Sequence, residues 1–217
     1  MKLHCFHGFL GSSRDFATFQ NTVVHDLYRL CEKAKDDTLT ILDQEIPAGS
    51  MLLGYSFGGR LAMQLFLKNP DKYKKLYVLS AHGGLKDKAA KMQRVLFDQK
   101  CADKLRELSE EEFLNGWNSQ ALFSADEPIQ SFPIKDKNVL ARFFTEYGLS
   151  TQDYLLDELL AHKDKLHFFY GESDSKYVDY AKNIQNMGFQ TSIIKNAGHR
   201  LLQSHSVEIR DIMRQNV

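Results

Sequence analysis

A serine flanked by glycines stands at residues 54–58, which read GYSFG and match the pattern G-x-S-x-G. In proteins with this pattern the serine lies on a sharp turn between a strand and a helix, where its hydroxyl is exposed to substrate. The apolar run Met51–Tyr55 precedes Ser56, and apolar residues at helical spacing follow it. We therefore predict that Ser56 is a catalytic residue. The alternative is a glycine-containing turn with a solvent-facing serine.

Two further residues supply the acid and the base that such a serine needs. Asp174 follows the predicted strand 166–170, and His199 follows the predicted strand 192–194. The chain order Ser, Asp, His is that of α/β hydrolases. In a triad of this kind, His199 takes and returns the serine proton, while Asp174 orients the imidazole and stabilises its charged form.

Each of these two assignments has a neighbouring rival. Glu172 is an alternative acid because it precedes Asp174 by two positions. His205 is an alternative base, although it falls within the helical pattern that follows the last predicted strand. A single loop aspartate or histidine is usually a solvated turn residue, so the prediction depends on the joint placement of all three triad residues.

Backbone N–H groups that stabilise a substrate oxyanion are predicted at two places. Residues 7–8 read HG and follow the first predicted strand, so the N–H of Phe9 is the first candidate donor. The N–H of Phe57, next to the serine, is the second candidate donor. Losing one such donor typically costs about 3–4 kcal/mol of transition-state stabilisation.

These residues must be positioned by the ends of strands in one sheet. Short apolar runs that end in polar or glycine-containing turns predict strands at Lys2–Phe6, Met51–Tyr55, Leu76–Ser80, Leu166–Tyr170 and Ser192–Ile194. Strands that alternate with helices predict an α/β fold with a mostly parallel sheet, in which ligands bind beyond the carboxyl ends of the strands. All candidate catalytic residues follow such ends, which favours the α/β-hydrolase fold.

The remaining segments are predicted to be helical. Apolar residues at intervals of three and four predict an amphipathic helix from about Asp15 to Lys35. Residues 82–163 are charged and helical in pattern, and we expect a helical lid inserted into a single domain that comprises residues 1–217. Only Thr38–Ser50 remain before the serine strand, too few for a strand and a conventional crossover helix, so we expect a trimmed sheet.

Composition limits the classes of partner. Lys plus Arg and Asp plus Glu are balanced at 28 each, so nothing predicts binding to nucleic acid or to an anionic membrane, and a small molecule is the expected partner. The N-terminal segment lacks a signal-peptide pattern, and no apolar run reaches the length of a membrane span. The three cysteines lack CxxC spacing, which argues against a disulfide framework and a metal site. We expect a cytoplasmic protein, monomeric or a weak homo-oligomer.

Several motifs together resemble one family. The segments HGFLGSSRDF, GYSFGGRLAM, SAHGGL, GWNSQALF and GESDSKY are similar to those of the 2-succinyl-6-hydroxy-2,4-cyclohexadiene-1-carboxylate synthase family of menaquinone biosynthesis, which has the α/β-hydrolase fold. The similarity touches segments from Lys2 to His199. The HG dipeptide and the serine turn are shared by many hydrolases, whereas GYSFGGR and the tryptophan segment are more specific.

The resemblance implies a lyase that needs no cofactor. In such an enzyme the triad removes a proton from a succinyl-bearing cyclohexene, a double bond forms, and the enolpyruvyl ether breaks to release pyruvate. Ser56, deprotonated with the help of His199, then acts as a base, and no acyl-enzyme forms.

The resemblance also implies a pocket for a substrate with several carboxylates. A guanidinium group matches a carboxylate with two hydrogen bonds, and Arg60 and Arg94 are the candidates by position, with Tyr55 and Trp117 as further substrate-binding residues. Arg94 is alternatively a solvent-facing helical arginine, and Trp117 is alternatively lid core. Relatives place another arginine later in the lid, where this chain offers Lys135, Lys137 and Arg142.

Two other functions fit the same residues. A carboxylesterase or thioesterase uses the triad for acyl transfer, with Ser56 attacking the carbonyl carbon. A pocket with Arg60 and Arg94 converging near Ser56 favours the lyase, because an esterase for neutral substrates does not need them. A non-catalytic binding module on this fold is the third possibility, and the presence of all three triad residues argues against it.

Overall fold

Within residues 2–215, which the computed structural model describes, six strands form one parallel sheet. Their order across the sheet is β2-β1-β3-β4-β5-β6. The strands are β1 (Leu3–Phe6), β2 (Thr22–His25), β3 (Met51–Tyr55), β4 (Lys75–Leu79), β5 (Leu166–Gly171) and β6 (Gln190–Ile194). The predicted α/β class with a mostly parallel sheet is confirmed, and each of the five predicted strands is present to within two residues at either end.

The central strands are nearly continuous apolar runs because both faces of the sheet are covered. All four residues of β1 and all six of β5 are buried. Ten helices accompany the strands in the described residues: α1 (Leu27–Leu30), α2 (Lys35–Glu45), α3 (Phe57–Lys68), α4 (Lys88–Glu107), α5 (Glu110–Asn118), α6 (Lys137–Thr145), α7 (Leu156–Leu159), α8 (Val178–Asn186), α9 (Leu201–Ser204) and α10 (Ser206–Gln215).

The predicted helix from Asp15 to Lys35 is wrong. The segment contains a 3₁₀ turn (Ser13–Phe16), strand β2 and the single-turn helix α1. Strand β2 pairs in parallel with β1, with Leu3 opposite Thr22 and Phe6 opposite His25. Its centre is the β-branched pair Val23-Val24, which suits a strand better than a helix. Because Val23 also lies four residues from Phe19 and from Leu27, the spacing of apolar residues alone did not distinguish a strand from a helix.

This correction also changes the expected connection to the serine strand. The strand that was missing before β3 is β2, and Lys35–Glu45 forms helix α2. Residues 26–50 therefore connect β2 to β3 through α1 and α2, which is long enough for a parallel crossover. Thr38–Ser50 are therefore the last part of this crossover, which begins after β2 and not, as predicted, after a helix that ends near Lys35.

Two hydrophobic clusters hold the sheet between its helices. On one face, Phe6, Leu52 and Val78 pack with Leu61 and Phe66 of α3 and with the helices between β4 and β5. On the other face, the sheet packs against α9, α10 and the 3₁₀ turn, through residues that include Leu53, Tyr77, Phe16, Leu201 and Ile209. Alternate residues of each strand therefore serve different clusters, as a pleated sheet requires.

Residues 82–163, between β4 and β5, contain α4, α5, α6 and α7. Asp87 caps the start of helix α4, where its side chain accepts a hydrogen bond from the Ala90 N–H, and Ser109 and Glu112 form a capping box at the start of α5. Helix α4 packs mainly on α6. Over the described residues, no helix combines the length and the apolar character needed to cross a membrane.

Candidate active site

The turn after β3 holds Ser56 in a strained backbone conformation. Its φ of 50° and ψ of −110° lie in a region that non-glycine residues rarely adopt. The turn is fixed by the Ser56 N–H, which donates to the Leu79 carbonyl of β4 at 2.7 Å. A Cβ on Gly58 would lie 2.1 Å from the Phe6 carbonyl oxygen, so this position accepts only glycine without movement of β1.

We expect Gly58→Ala to lower the free energy of unfolding by about 3 kcal/mol, because the added methyl group overlaps backbone that cannot move aside. Gly116→Ala is the matched control, since a Cβ there meets nothing within 4 Å and α5 gains a better helix former. Urea unfolding of both variants measures the difference. Equal stabilities for the two variants would contradict the close approach at Gly58.

The structure brings the three predicted triad side chains together. Ser56 Oγ lies 3.1 Å from His199 Nε2, and His199 Nδ1 lies 2.7 Å from Asp174 Oδ2. Asp174 and His199 are both buried. Because a carboxylate only accepts, the Nδ1–H donates to Asp174, which leaves Nε2 of the neutral imidazole to accept the Ser56 hydroxyl proton. The arrangement can pass a proton from serine to histidine.

The two rival residues lie elsewhere. Glu172 is exposed, and its carboxylate accepts a hydrogen bond from the Asn196 N–H at 3.1 Å. His205 ends α9, and its Nδ1 pairs with the Ser204 hydroxyl at 2.8 Å. Neither side chain shares a hydrogen bond with Ser56, His199 or Asp174 in the described residues.

Hydrogen bonds connect the loop that carries His199 to the segment between β4 and β5, through residues that the sequence analysis did not single out. Asp126 accepts hydrogen bonds from the N–H groups of His199 at 3.0 Å and Arg200 at 2.9 Å. The buried Arg200 guanidinium donates to Asn118 Oδ1 at 2.8 Å and lies over the Phe123 ring. The only available signal was the position of Arg200 next to His199, since Asp126 lies in a loop far away in sequence.

A pocket of about 90 Å³ opens above Ser56 and His199. Five residues predicted to stabilise an oxyanion or bind substrate line it: Phe9, Phe57, Arg60, Arg94 and Trp117. Tyr55 does not line this pocket. Its side chain points to the opposite face of the sheet and lines a smaller adjoining space, where it lies beneath Gly8. Strand alternation explains this, because adjacent residues of β3 face opposite ways.

Cationic side chains line part of the pocket. The Arg60 guanidinium donates to the Tyr147 carbonyl oxygen at 2.8 Å, and burial, followed by the nearby charge of Arg94, lowers the pKa of Arg60 to about 10. Arg94 forms an ion pair with Asp98 at 2.7 Å. Burial lowers the pKa of His82 to about 4, with smaller contributions from Arg60 and Arg94. His82 is therefore neutral at pH 7, and the guanidinium groups carry the charge.

The third cation of the pocket is Lys176, which sequence reasoning missed. Desolvation, followed by the charge of Arg94, lowers the pKa of this lysine. The three cationic residues that the sequence offers in the later part of the lid do not line this pocket. Lys135 is exposed, and Lys137 donates to the Leu108 carbonyl oxygen. Arg142 donates to the Lys33 carbonyl oxygen and to Glu146. Lys137 and Arg142 are on α6, and that helix turns its apolar side, including Phe143 and Phe144, toward the pocket.

Comparisons with known proteins identify similar chains. A 2-succinyl-6-hydroxy-2,4-cyclohexadiene-1-carboxylate synthase from Enterobacter sp. (strain 638) is 30% identical over 154 residues, which is 68% of this chain and 58% of that protein. A synthase of the same name from Salmonella paratyphi B is 28% identical, over 76% of this chain and 66% of that protein. The matches thus span less than two thirds of the length of these relatives. No protein-family model matches the chain.

Solved structures show the same fold. MenH from S. aureus superposes on this chain with a TM-score of 0.83 at 24% sequence identity. The superposition covers 100% of this chain and 92% of the MenH chain. A carboxylesterase from the thaumarchaeon Nitrososphaera gargenis superposes with a TM-score of 0.69 at 13% sequence identity. This superposition covers 99% of this chain and 88% of the carboxylesterase chain. The predicted fold and the predicted resemblance are confirmed. The chain has the α/β-hydrolase fold and is similar in sequence to proteins named 2-succinyl-6-hydroxy-2,4-cyclohexadiene-1-carboxylate synthase.

Proposed function

We propose that this protein is a lyase that eliminates pyruvate, without a cofactor, from a succinyl-enolpyruvyl-cyclohexene carboxylate. One observation carries the proposal: the hydrogen-bonded chain Ser56–His199–Asp174 opens into a pocket that Arg60 and Arg94 also line. The names of the curated relatives and their similarity to this chain support the same reaction.

The proton route follows from the hydrogen bonds. His199 Nε2 withdraws the Ser56 proton, and the serine oxygen takes a proton from the substrate carbon. The electrons of that C–H bond form the new ring double bond as the C–O bond to the enolpyruvyl group breaks. The departing enolate accepts a proton from the histidinium and becomes pyruvate, which restores the neutral imidazole. Asp174 stabilises the imidazolium while it exists.

The charge of the pocket suits an anionic substrate. Arg60, Arg94 and Lys176 line the same pocket as Ser56 and His199, and positive charge in a partly closed pocket attracts and orients carboxylates. Phe9, Phe57 and Trp117 supply apolar surface for a carbon ring. We further propose that the N–H groups of Phe9 and Phe57 stabilise the enolate oxygen, and that residues 82–163 act as a lid over the site.

We expect Arg94→Gln to raise KM about 10- to 100-fold with a smaller change in kcat, because it removes a charge-assisted bond to a substrate carboxylate. Arg106→Gln is the control, since Arg106 lies on the same helix, is exposed and does not line the pocket. Steady-state kinetics of pyruvate release measures both. An unchanged KM in Arg94→Gln, with the fold intact by circular dichroism, would remove Arg94 from the substrate site.

Pyruvate release from the cyclohexene substrate tests the proposed reaction. The purified protein is incubated with the substrate, and pyruvate is followed by its reduction with lactate dehydrogenase and NADH. We expect enzyme-dependent release without added cofactor, alongside ultraviolet absorbance of the cyclohexadiene product. Failure to release pyruvate above the uncatalysed rate would overturn the proposed function.

Ester hydrolysis is the second candidate, and the Ser56 turn is the observation that favours it. A serine hydroxyl on a strained turn, 3.1 Å from an imidazole, is suited to attack on a carbonyl carbon. An initial burst of p-nitrophenol from p-nitrophenyl acetate, with steady turnover and no pyruvate release from the cyclohexene substrate, would favour this function. The Arg60 and Arg94 side chains would then have no role in binding a substrate carboxylate.

A further inference from the structure

A second cleft lies between α4 and α5, behind the wall of the active-site pocket. Its volume is about 230 Å³, compared with about 90 Å³ for the pocket above Ser56. The two spaces share Phe97, Trp117 and Gln120, so these side chains form a partition between them. We call this space the accessory cleft. The accessory cleft is also lined by Lys100, Lys104, Phe113 and Gly116.

The accessory cleft has an aromatic wall with unfilled space beside it. Phe113 is buried, and its ring stacks on Trp117 with centroids 6.0 Å apart and an interplanar angle of 11°. Phe97 remains 41% exposed although it is a large apolar side chain. A Cβ placed on Gly116 meets no atom within 4 Å. One side of the Phe97 ring carries the Arg94 guanidinium, 5.2 Å from its centroid, and the exposed remainder of Phe97 is apolar surface that a ligand in the space beside Gly116 would remove from water.

The charge at the rim of the cleft is positive. Lys100 and Lys104 lie one turn apart on α4, both are exposed, and neither forms an ion pair within residues 2–215. The acidic residue in the lining, Glu112, is committed to the start of α5, where it accepts from the Ser109 N–H at 2.9 Å and the Ser109 hydroxyl at 2.7 Å. Two available ammonium groups beside an aromatic wall favour a carboxylate attached to an apolar body.

We propose that the accessory cleft is a second binding site, which takes a small carboxylate with an aromatic or similarly sized apolar body. The carboxylate lies at Lys100 and Lys104, and the apolar body lies against Phe97, Phe113 and Trp117 next to Gly116. Such a ligand contacts the partition from the side opposite Ser56 and limits the movement of Trp117 and Phe97 into the cleft. The proposal does not depend on the reaction catalysed at Ser56.

Binding of 3-phenylpropionate tests the proposal, because Trp117 is the single tryptophan of the chain and reports occupancy by its fluorescence. We expect the fluorescence of Trp117 to change as 3-phenylpropionate is added and to reach a plateau at saturation. Gly116→Leu should weaken binding at least about tenfold by filling the space, and the double change Lys100→Gln with Lys104→Gln should weaken it about fivefold. Leucine is a better helix former than glycine, so Gly116→Leu should retain the fold.

Three controls separate this cleft from other sites. Asn115→Leu adds the same side chain to α5 outside the cleft, and the double change Lys88→Gln with Lys91→Gln removes the same charge from α4; we expect neither to change affinity. Arg94→Gln should change affinity less than the Lys100/Lys104 double change, because Arg94 lines the pocket above Ser56 and reaches the accessory cleft only through its contact with the Phe97 ring. The uncharged analogue 3-phenylpropan-1-ol should bind more weakly.

Two results would overturn the proposal. The first is the absence of saturable binding by fluorescence and by calorimetry. The second is binding that Arg94→Gln abolishes and that Gly116→Leu and the Lys100/Lys104 double change leave intact, which would place the probe in the pocket above Ser56. Either result leaves the proposed lyase function unaffected, since that function is measured by pyruvate release.

Discussion

Replacing Ser56 by alanine is expected to lower the rate of pyruvate release at least about a thousandfold, because it removes the oxygen that takes the substrate proton. His199 Nε2 is hydrogen-bonded to this oxygen, and the substrate carbon has no other base in the proposed route. The loss should be in kcat, with KM changed much less, since Arg60 and Arg94 remain to bind the carboxylates. Steady-state release of pyruvate by the variant and the unchanged protein measures the effect.

A double variant strengthens this experiment. If Ser56 and His199 act as one unit, Ser56→Ala combined with His199→Gln should be no more than about threefold slower than the slower single variant. Independent roles would instead multiply the two losses. Comparable rates for Ser56→Ala and the unchanged protein, with the fold intact by circular dichroism, would show that another group removes the proton.

The second large effect is expected at the acid of the triad. Asp174→Asn should lower kcat by about three to four orders of magnitude, the size of the loss that the equivalent change causes in a serine protease. An amide can donate to His199 Nδ1, which places the histidine proton on Nε2 and prevents that nitrogen from accepting the serine proton. The 2.7 Å bond between Nδ1 and Asp174 Oδ2 makes His199 sensitive to this change.

Glu172→Gln is the matched control for this prediction. It makes the same carboxylate-to-amide change two residues away, on an exposed side chain that contacts the Asn196 N–H and not the triad. We expect pyruvate release by this variant to stay within about twofold of the unchanged protein, as for most surface substitutions. Similar losses in Asp174→Asn and Glu172→Gln would mean that the loop as a whole, rather than one carboxylate, supports the reaction.

The parts of the fold that the sequence predicted share a strong local signal. Strand β3, the turn at Ser56 and helix α3 were predictable because an apolar run, glycine and a 3.6-residue period occur in succession. Strand β2 was not, since its four residues lie between two short helical turns and its valines also fit a helical period. What decides its structure is pairing with β1, a long-range contact that a local pattern does not contain.

The same distinction applies to the site. Ser56, Asp174 and His199 could be placed near one another because each follows a strand of one parallel sheet. The charged lining of the pocket was less predictable: Arg60 and Arg94 contribute to it as expected, but Lys176 was missed and Arg142 lies elsewhere. Which face of α6 turns inward depends on tertiary packing. Tyr55 shows that strand alternation can keep even a neighbour of the reactive serine out of the main pocket.

If Ser56 removes a proton, as we propose, it does not become acylated during turnover, and intact-mass spectrometry can distinguish the two outcomes. The protein is mixed with excess cyclohexene substrate, quenched at early times, and its mass is measured in parallel with pyruvate. We expect pyruvate release with the protein mass unchanged at every time point. A mass increase located on Ser56 that forms and decays at the rate of turnover would contradict it.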